Sequence, residues 1–188
     1  FRLRNKIMKP LEENLRYEFK NKKLLINALT HSSYANEARD GVSSNERLEF
    51  LGDSVLSIVV SEYIYKEFNN LPEGELTKLR ASLVCEKSLC QFSRELDLGK
   101  YLRLGKGEDK GGGRERDSIL ADAFEAVLAA MYLDGGIEPV KKLVLQFVKA
   151  DLKDTKRISF KDYKTELQEV IQKNPEEKIE YVLIDEQG

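Results

Sequence analysis

Apolar residues recur every three or four positions along most of this chain, which is the period of an α-helix. The longest such pattern begins near Asn45 and ends near Phe68, which predicts one long helix. Its apolar positions are Leu48, Leu51, Val55, Ile58, Val59 and Ile64. Gly52 interrupts the pattern at a cost of about 1 kcal/mol relative to alanine, so we expect another element to pack closely against the backbone there.

The same period predicts shorter helices on both sides of this segment. Pro10 is expected in the first turn of an early helix, where a proline costs no hydrogen bond. Ser118 is the expected cap of a later helix, which Gly135 and Gly136 then end. The other predicted helices lie at about residues 24–31, from 73 onward, at 87–97 and at 139–149, and loops are predicted at 35–44 and 104–117.

The pattern changes after residue 151. A polar stretch is followed by an amphipathic helix from Asp162 to about Lys173. The apolar segment that comes next, residues 178–184, has the β-branched and aromatic residues of a strand. One helix and one strand do not bury a core of their own. We therefore expect a first domain at residues 1–152, a linker at 153–160 and the beginning of a second domain at 161–188.

Composition limits the class of protein. Among 188 residues, 31 are Lys or Arg and 33 are Asp or Glu, which gives a formal net charge of -2 and a pI near 5.7. This balance is typical of a globular domain and argues against a strongly basic nucleic-acid binder, although it leaves a nucleic-acid partner open. Two cysteines and one histidine are too few for a disulfide framework, a zinc site or a cluster of imidazoles. No apolar run approaches the roughly 18 residues of a membrane span.

Two groups of carboxylates carry the candidate chemistry. Glu46, Glu49 and Asp53 follow one another at i, i+3 and i+7, so they share one face of the long helix. Asp122 and Glu125 share a face of a second helix in the same way. Both groups lie in otherwise apolar sequence, where neighbouring carboxylates resist ionisation unless a cation joins them. If the groups face each other, their oxygens suit one or two Mg²⁺ ions, which promote phosphodiester hydrolysis.

Spacing alone leaves an alternative open. In a chain with 34% charged residues, most acid pairs of this kind lie on solvated helix faces. A ferritin-like carboxylate bundle is a further competitor, but it needs Glu-x-x-His pairs, and His31 is not part of one. His31 ends an apolar segment, which favours a half-buried histidine with satisfied hydrogen bonds over a general base.

Residues 45–56, NERLEFLGDSVL, resemble the signature of the ribonuclease III family of double-stranded RNA endonucleases. Four further segments match in the family's order: LTHSSY at 29–34, EG at 73–74, KLRASLV at 78–84 and SILADAFEA at 118–126. The resemblance covers about residues 5–150 and implies an all-α endonuclease domain, a helical bundle of the ribonuclease III type. Residues from about 160 resemble the first helix and first strand of an α+β double-stranded RNA-binding domain, a match that depends on position and pattern.

The resemblance also assigns roles to the carboxylates. Glu49, Asp53, Asp122 and Glu125 match the acids that bind Mg²⁺, with Mn²⁺ as a substitute. Asp53 and Glu125 match the pair usually named catalytic. Another acid of the same motif, Glu46, matches a cleft acid thought to help in RNA engagement or product release.

Further residues match the family outside the metal-binding set. Glu73 matches a second cleft acid with the same assigned role as the one in the signature. Phe50 matches an aromatic residue that enters the partner subunit, which implies a homodimer; from sequence alone a core position is equally open. In the loop at 104–117, Lys106, Arg114 and Arg116 are candidate RNA contacts, although a flexible solvated loop is an equal alternative.

The activity that the resemblance implies is Mg²⁺-dependent hydrolysis of phosphodiester bonds in double-stranded RNA, leaving 5′-phosphates and short 3′ overhangs. It further implies a cytoplasmic protein without a membrane partner, with a role in processing rRNA and mRNA precursors. The alternative is a non-catalytic dimeric module that binds double-stranded RNA on the same scaffold. The intact acids argue against that alternative.

Overall fold

The computed structural model describes residues 2–38 and 41–153, with side chains from residue 8 onward. The described part is helical, and it includes a 3₁₀ turn at Gly113–Glu115 and an isolated parallel bridge between Thr30 and Arg103. In chain order the helices are α1 (Arg2–Leu15), α2 (Lys22–Ala28), α3 (Ser32–Glu37), α4 (Glu46–Glu67), α5 (Glu73–Leu83), α6 (Glu86–Glu95), α7 (Leu98–Tyr101), α8 (Lys106–Lys110), α9 (Asp117–Gly135) and α10 (Ile137–Lys153).

The predicted helical architecture is confirmed for this part of the chain. The long helix expected at about 45–68 is α4, and the later helix expected between Ser118 and Gly135 is α9, which ends at Gly135 as predicted. Of the linker predicted at 153–160, Lys153 is the last residue of α10; residues 154–160 and the predicted start of an RNA-binding domain at 161–188 lie outside the described residues.

Several local predictions are wrong. Pro10 lies inside α1 rather than in its first turn. The expected cap residue Ser118 lies within α9, because that helix begins at Asp117 and Arg116 occupies the N-cap position. Part of the loop predicted at 35–44 belongs to α3, and the loop predicted at 104–117 contains α8 and the 3₁₀ turn. In these places caps and tertiary packing determine the local structure, and neither follows the apolar period.

Helix α9 forms the centre of the fold. Its side chains from Ile119 to Met131 are almost all buried, as expected for a helix that is apolar on every side. Helices α4, α6 and α2 pack around it. Phe92 of α6, Phe124 of α9 and Phe147 of α10 pack against one another with ring centroids 4.8–6.1 Å apart. The two acids of α9, Asp122 and Glu125, are therefore attached to the central, most buried helix of the domain.

Gly52 is the point where α4 meets α9. A Cβ atom at this position would overlap the backbone carbonyl of Glu125, so only hydrogen fits between the two helices. This close approach confirms that another element packs against the backbone at Gly52. It also brings the acidic face of α4 next to Glu125.

The end of α2 is bonded to the beginning of α4. The Asn45 backbone N–H donates to the Thr30 carbonyl at 2.8 Å, and the Asn45 side chain donates to the Ala28 carbonyl at 3.2 Å. On its other side the segment pairs with residue 103: the Arg103 N–H donates to Leu29 and the His31 N–H donates to Arg103. Residues 28–31 are thus held between α4 and the segment that precedes α8.

Candidate metal centre

Three carboxylates meet where α4 crosses α9. Glu49 of α4 and Asp122 and Glu125 of α9 each offer an oxygen, and these oxygens all lie within 4.8 Å of one another. All three side chains are half-buried. A donor set that consists only of carboxylate oxygens fits a hard divalent cation such as Mg²⁺ and not a soft thiophilic metal.

The three groups disfavour one another's ionisation. Burial raises the pKa of Glu125 to about 8, and the charges of Asp53, Asp122 and Glu49 add to the rise. Burial likewise raises the pKa of Glu49, with further contributions from Asp122 and Glu46. Like charges in a partly desolvated site have this effect, and a bound cation reverses it. The electrostatics therefore favour a site that takes up a cation in exchange for protons.

Asp122 has two additional neighbours. Burial raises the pKa of its carboxyl, the imidazole of His31 acts in the opposite direction, and Glu86 adds to the rise. His31 occupies the N-cap position of α3, and Glu86 is the first residue of α6. The sequence pattern points to neither residue as part of the site. His31 lies in the LTHSSY segment, where its place after an apolar stretch favours packing, and an acid at the start of a helix is too common to single out Glu86.

The remaining predicted acids are Asp53, Glu46 and Glu73, of which the first two act on members of the cluster through their charge. Asp53 is exposed one turn after Glu49 on α4 and acts on Glu125 through its charge. Glu46 is also exposed, and its carboxylate accepts a hydrogen bond from the Ser44 hydroxyl at 2.7 Å. The third, Glu73, begins α5, and its carboxylate accepts from the Thr77 hydroxyl at 2.8 Å.

Phe50 is the clearest surface feature near the cluster. It follows Glu49 directly but is 79% exposed, so a core position is excluded. Ile58 and Tyr65, farther along the same helix, are 63% and 71% exposed. These three residues form a band on the exposed side of α4, called the α4 apolar stripe below. Exposed apolar side chains that share one face of a helix in this way can mark an interaction surface.

The predicted RNA contacts of the 104–117 segment have different surroundings. Arg114 forms an ion pair with Asp109 at 2.7 Å and donates to the carbonyls of Gly99 and Leu102, so it holds this segment together. Arg116 pairs with Glu108 at 2.7 Å. Lys106 is exposed at the start of α8, and contact of these three cations with RNA stays a prediction.

Comparison with known proteins agrees with this architecture. A family model described as ribonuclease-III-like matches residues 21–152. Ribonuclease 3 of Caldanaerobacter subterraneus subsp. tengcongensis is 56% identical over 179 residues, which is 95% of this chain and 78% of that protein. Ribonuclease 3 of Oceanobacillus iheyensis is 53% identical over 182 residues, which is 96% of this chain and 80% of that protein.

A solved structure shares the fold. The nuclease domain of ribonuclease III from Campylobacter jejuni, described for flexibility in a region involved in dimer formation, superposes with a TM-score of 0.71 at 45% identity. The match covers 76% of this chain and 96% of that domain. In the part of the chain that the structure describes, no helix has the length and apolarity to cross a membrane. From the matched sequence, the shared fold and the acidic cluster between α4 and α9, we conclude that this chain belongs to the ribonuclease III family.

Proposed function

We propose that this chain is an endoribonuclease that hydrolyses phosphodiester bonds of double-stranded RNA with Mg²⁺ held by Glu49, Asp122 and Glu125. The observation that carries the proposal is the meeting of three carboxylate oxygens within 4.8 Å in a member of this family. Asp53, an exposed residue whose charge acts on Glu125, is the fourth proposed metal-binding carboxylate. Mn²⁺ has the same preference for oxygen ligands and is expected to substitute.

The protein's own part in the reaction follows from the state of its carboxyl groups. When bound, Mg²⁺ supplies a Lewis acid for the phosphate and lowers the pKa of water. Glu125, with a pKa near 8, keeps a proton on a carboxylate oxygen at neutral pH until a cation is present. Loss of that proton converts it into a ligand, so cation affinity rises with pH. Because Asp122 and Glu125 are carried by the buried helix α9, little conformational entropy is lost when their side chains are ordered around a cation.

The exposed acids have a proposed role at the edge of the centre. Glu46 and Glu73 are anchored by hydroxyl groups of Ser44 and Thr77, which keeps their carboxylates in place on the surface. Glu46 adds to the pKa of Glu49 through its charge, and a negative charge at this place repels the phosphate that hydrolysis generates. We therefore assign these two acids to RNA engagement and product release rather than to primary cation binding.

A homodimer is the proposed working unit. The α4 apolar stripe, with Phe50 at its start, lies on the same helix as Glu49 and Asp53. A second copy that covers this stripe places two centres near one duplex, which accounts for cleavage of both strands, 5′-phosphates and short 3′ overhangs. A-form RNA is recognised chiefly by its shape, its phosphates and its 2′-hydroxyl groups. We propose that this activity serves in the processing of rRNA and mRNA precursors.

The proposal is tested with two long duplexes of equal length, one of RNA and one of DNA, each incubated with the protein and Mg²⁺. We expect the RNA to be cut and the DNA to stay whole. The variant Glu125→Gln has the same shape without the charge, and it should bind the RNA duplex but leave it intact. If the wild-type protein binds the RNA duplex without cutting it, the non-catalytic binding module is the better description.

A further inference from the structure

Asn45, the residue before the first turn of α4, is a buried asparagine with an unusual set of hydrogen bonds. It is 3% exposed, although its side chain is polar. Asparagine at the start of a helix normally accepts a hydrogen bond from an N–H group of the first turn. Within the described residues, the Asn45 side chain does not cap α4, and its amide donates to the Ala28 carbonyl at 3.2 Å. This side chain thus connects the start of α4 to the end of α2.

A second asparagine makes the reciprocal connection. Asn27 of α2 donates from its side-chain amide to the carbonyls of residues 43 and 44, each at 2.9 Å. The Asn45 backbone N–H donates to the Thr30 carbonyl at 2.8 Å. Four hydrogen bonds therefore join the end of α2 to the three residues that lead into α4. Asn27 and Asn45 are called the asparagine pair below.

The asparagine pair holds α4 at one end of the segment that carries Glu49. The Glu49 N–H donates to the Asn45 carbonyl at 2.9 Å, so Glu49 lies in the first turn of the helix. At the other end of the segment, the backbone at Gly52 meets the Glu125 carbonyl of α9. The two attachments are about 10 Å apart along the helix axis. A single crossing point leaves the tilt of a helix free, whereas two points define the direction of its axis.

The attachment at the asparagine pair is also continuous with α9. Helix α2, to which the start of α4 is bonded, packs against α9. Ala28 at the end of α2 is fully buried. Since α9 carries Asp122 and Glu125, the approach of Glu49 to these two acids depends on both attachments of α4.

We propose that Asn45 is a positioning residue of the metal centre: together with Asn27 it fixes the start of α4 on α2 and so sets the approach of Glu49 to the acids of α9. The inference rests on the proposed function, because Glu49 is assigned there as a metal ligand. Groups that act behind the metal ligands typically change metal affinity by about 10–100-fold when they are removed. We expect the low end of this range, because Asn45 acts through the backbone of α4.

Three substitutions separate positioning from stability. Serine is a good N-cap residue, so Asn45→Ser still allows α4 to start and removes the amide that reaches the Ala28 carbonyl. Asn27→Ser removes the other half of the asparagine pair. Asn14→Ser is the matched control, because it also removes a 3.2 Å bond from an asparagine amide to a carbonyl, that of Leu96, and this bond joins α1 to the end of α6.

Binding of Mn²⁺ to the full chain without RNA is measured by electron paramagnetic resonance, well below the lowest thermal midpoint of the set. Every variant is folded there, so a loss of stability alone does not change the measured affinity. We expect Asn45→Ser to bind Mn²⁺ about tenfold more weakly than the wild type. The affinity of Asn27→Ser should lie between these two, and Asn14→Ser should match the wild type. Each substitution is expected to lower the midpoint by about 2–4 °C.

The outcomes separate this inference from the proposed function. A wild-type protein that binds no Mn²⁺ overturns the proposed metal centre and this inference with it. If the wild type binds Mn²⁺ and Asn45→Ser binds it equally well, only the role of Asn45 is wrong. That role is also overturned if Asn14→Ser loses as much affinity as Asn45→Ser. If Asn45→Ser does not fold, Asn27→Ser decides: weaker binding supports the positioning role, and wild-type affinity overturns it.

Discussion

The carboxyl group of Glu125 has a raised pKa and is also a proposed cation ligand. Its pKa of about 8, against an ordinary value of 4.5, means that the folded, cation-free protein holds a proton that the unfolded chain releases between these values. Burial is the main cause and the neighbouring carboxylates add to it. Without a cation the protonated carboxyl is therefore the favoured form, and with a bound cation the ionised carboxylate is favoured.

The pH dependence of stability follows from this shift. Between pH 4.5 and 8 the folded state binds more protons at Glu125 than the unfolded state, so the free energy of unfolding falls as pH rises. Urea titrations without divalent cations should show this decline, and Glu125→Gln should flatten it. A variant with the same slope as the wild type would show that Glu125 does not titrate as described.

Adding a cation should oppose the same decline. Mg²⁺ binds the folded protein through ionised carboxylates, so it should raise the free energy of unfolding more at pH 8 than at pH 5. The comparison uses the same urea titrations with and without Mg²⁺. Equal stabilisation at both pH values would contradict uptake of the cation in exchange for protons.

At the scale of elements, the crossing of α4 and α9 determines the geometry of the site. The α4 backbone at Gly52 touches the carbonyl of Glu125, so any side chain at residue 52 pushes the two helices apart. Glu49 lies three residues before Gly52 on α4, and Glu125 itself supplies the carbonyl at the contact. The spacing of their oxygens therefore depends on a glycine that has no chemistry of its own.

We expect Gly52→Ala to lower the free energy of unfolding by about 1–3 kcal/mol, since it overpacks a helix contact, and to weaken Mn²⁺ binding. Gly74→Ala is the matched control in α5, where an added Cβ meets nothing within 4 Å. That variant should be neutral or slightly more stable, as usual for alanine in a helix. Equal stability of both variants in urea would show that the contact at Gly52 relaxes easily.

Much of this arrangement could be predicted from the sequence. The apolar period predicted α4 and α9, the i, i+3 spacing placed Asp122 and Glu125 on one face, and the exceptional Gly52 indicated a close contact. Each of these features depends on residues within one helix, so each can be predicted from a short stretch of sequence. That the two acidic faces meet follows once both helices pack into the same core.

The remaining features depend on contacts between distant segments. The backbone of residues 30 and 31 is held by a hydrogen bond from Asn45 to the Thr30 carbonyl and by one from His31 to Arg103, and no periodicity records those bonds. Arg114 looked like an RNA contact in a glycine-rich loop, yet carbonyls 12 and 15 residues away receive its N–H groups. Hydrogen bonds of this kind depend on tertiary packing and leave no periodic signal in the sequence.

At the scale of the whole molecule, the α4 apolar stripe is the proposed subunit interface. A charge in the middle of an apolar contact is costly because it stays unpaired when buried. We therefore expect Phe50→Asp to be folded and monomeric in sedimentation velocity at a concentration where the wild-type protein is dimeric. Gln91→Asp adds the same charge on the exposed side of α6 and should stay dimeric.

Either of two results would contradict this interface. A wild-type protein that sediments as a monomer excludes the proposed dimer, and a dimeric Phe50→Asp places the interface elsewhere. Helical content measured by circular dichroism confirms that each variant is folded. The dimer and the metal centre are tested independently, because Phe50 is not among the carboxylates that hold the cation.

The carboxylates between α4 and α9 are proposed to hold the cation with which this protein cleaves duplex RNA. The most direct test is the single-turnover cleavage rate of a duplex RNA, measured against Mg²⁺ concentration for the wild type, Glu125→Gln and Glu138→Gln. Glu138 is an exposed acid of α10, 3.9 Å from Lys141, so its variant controls for lost charge. We expect Glu138→Gln to follow the wild-type curve and Glu125→Gln to be slower by about 100-fold or more at every concentration. A Glu125→Gln curve that coincides with the wild type would contradict the claim.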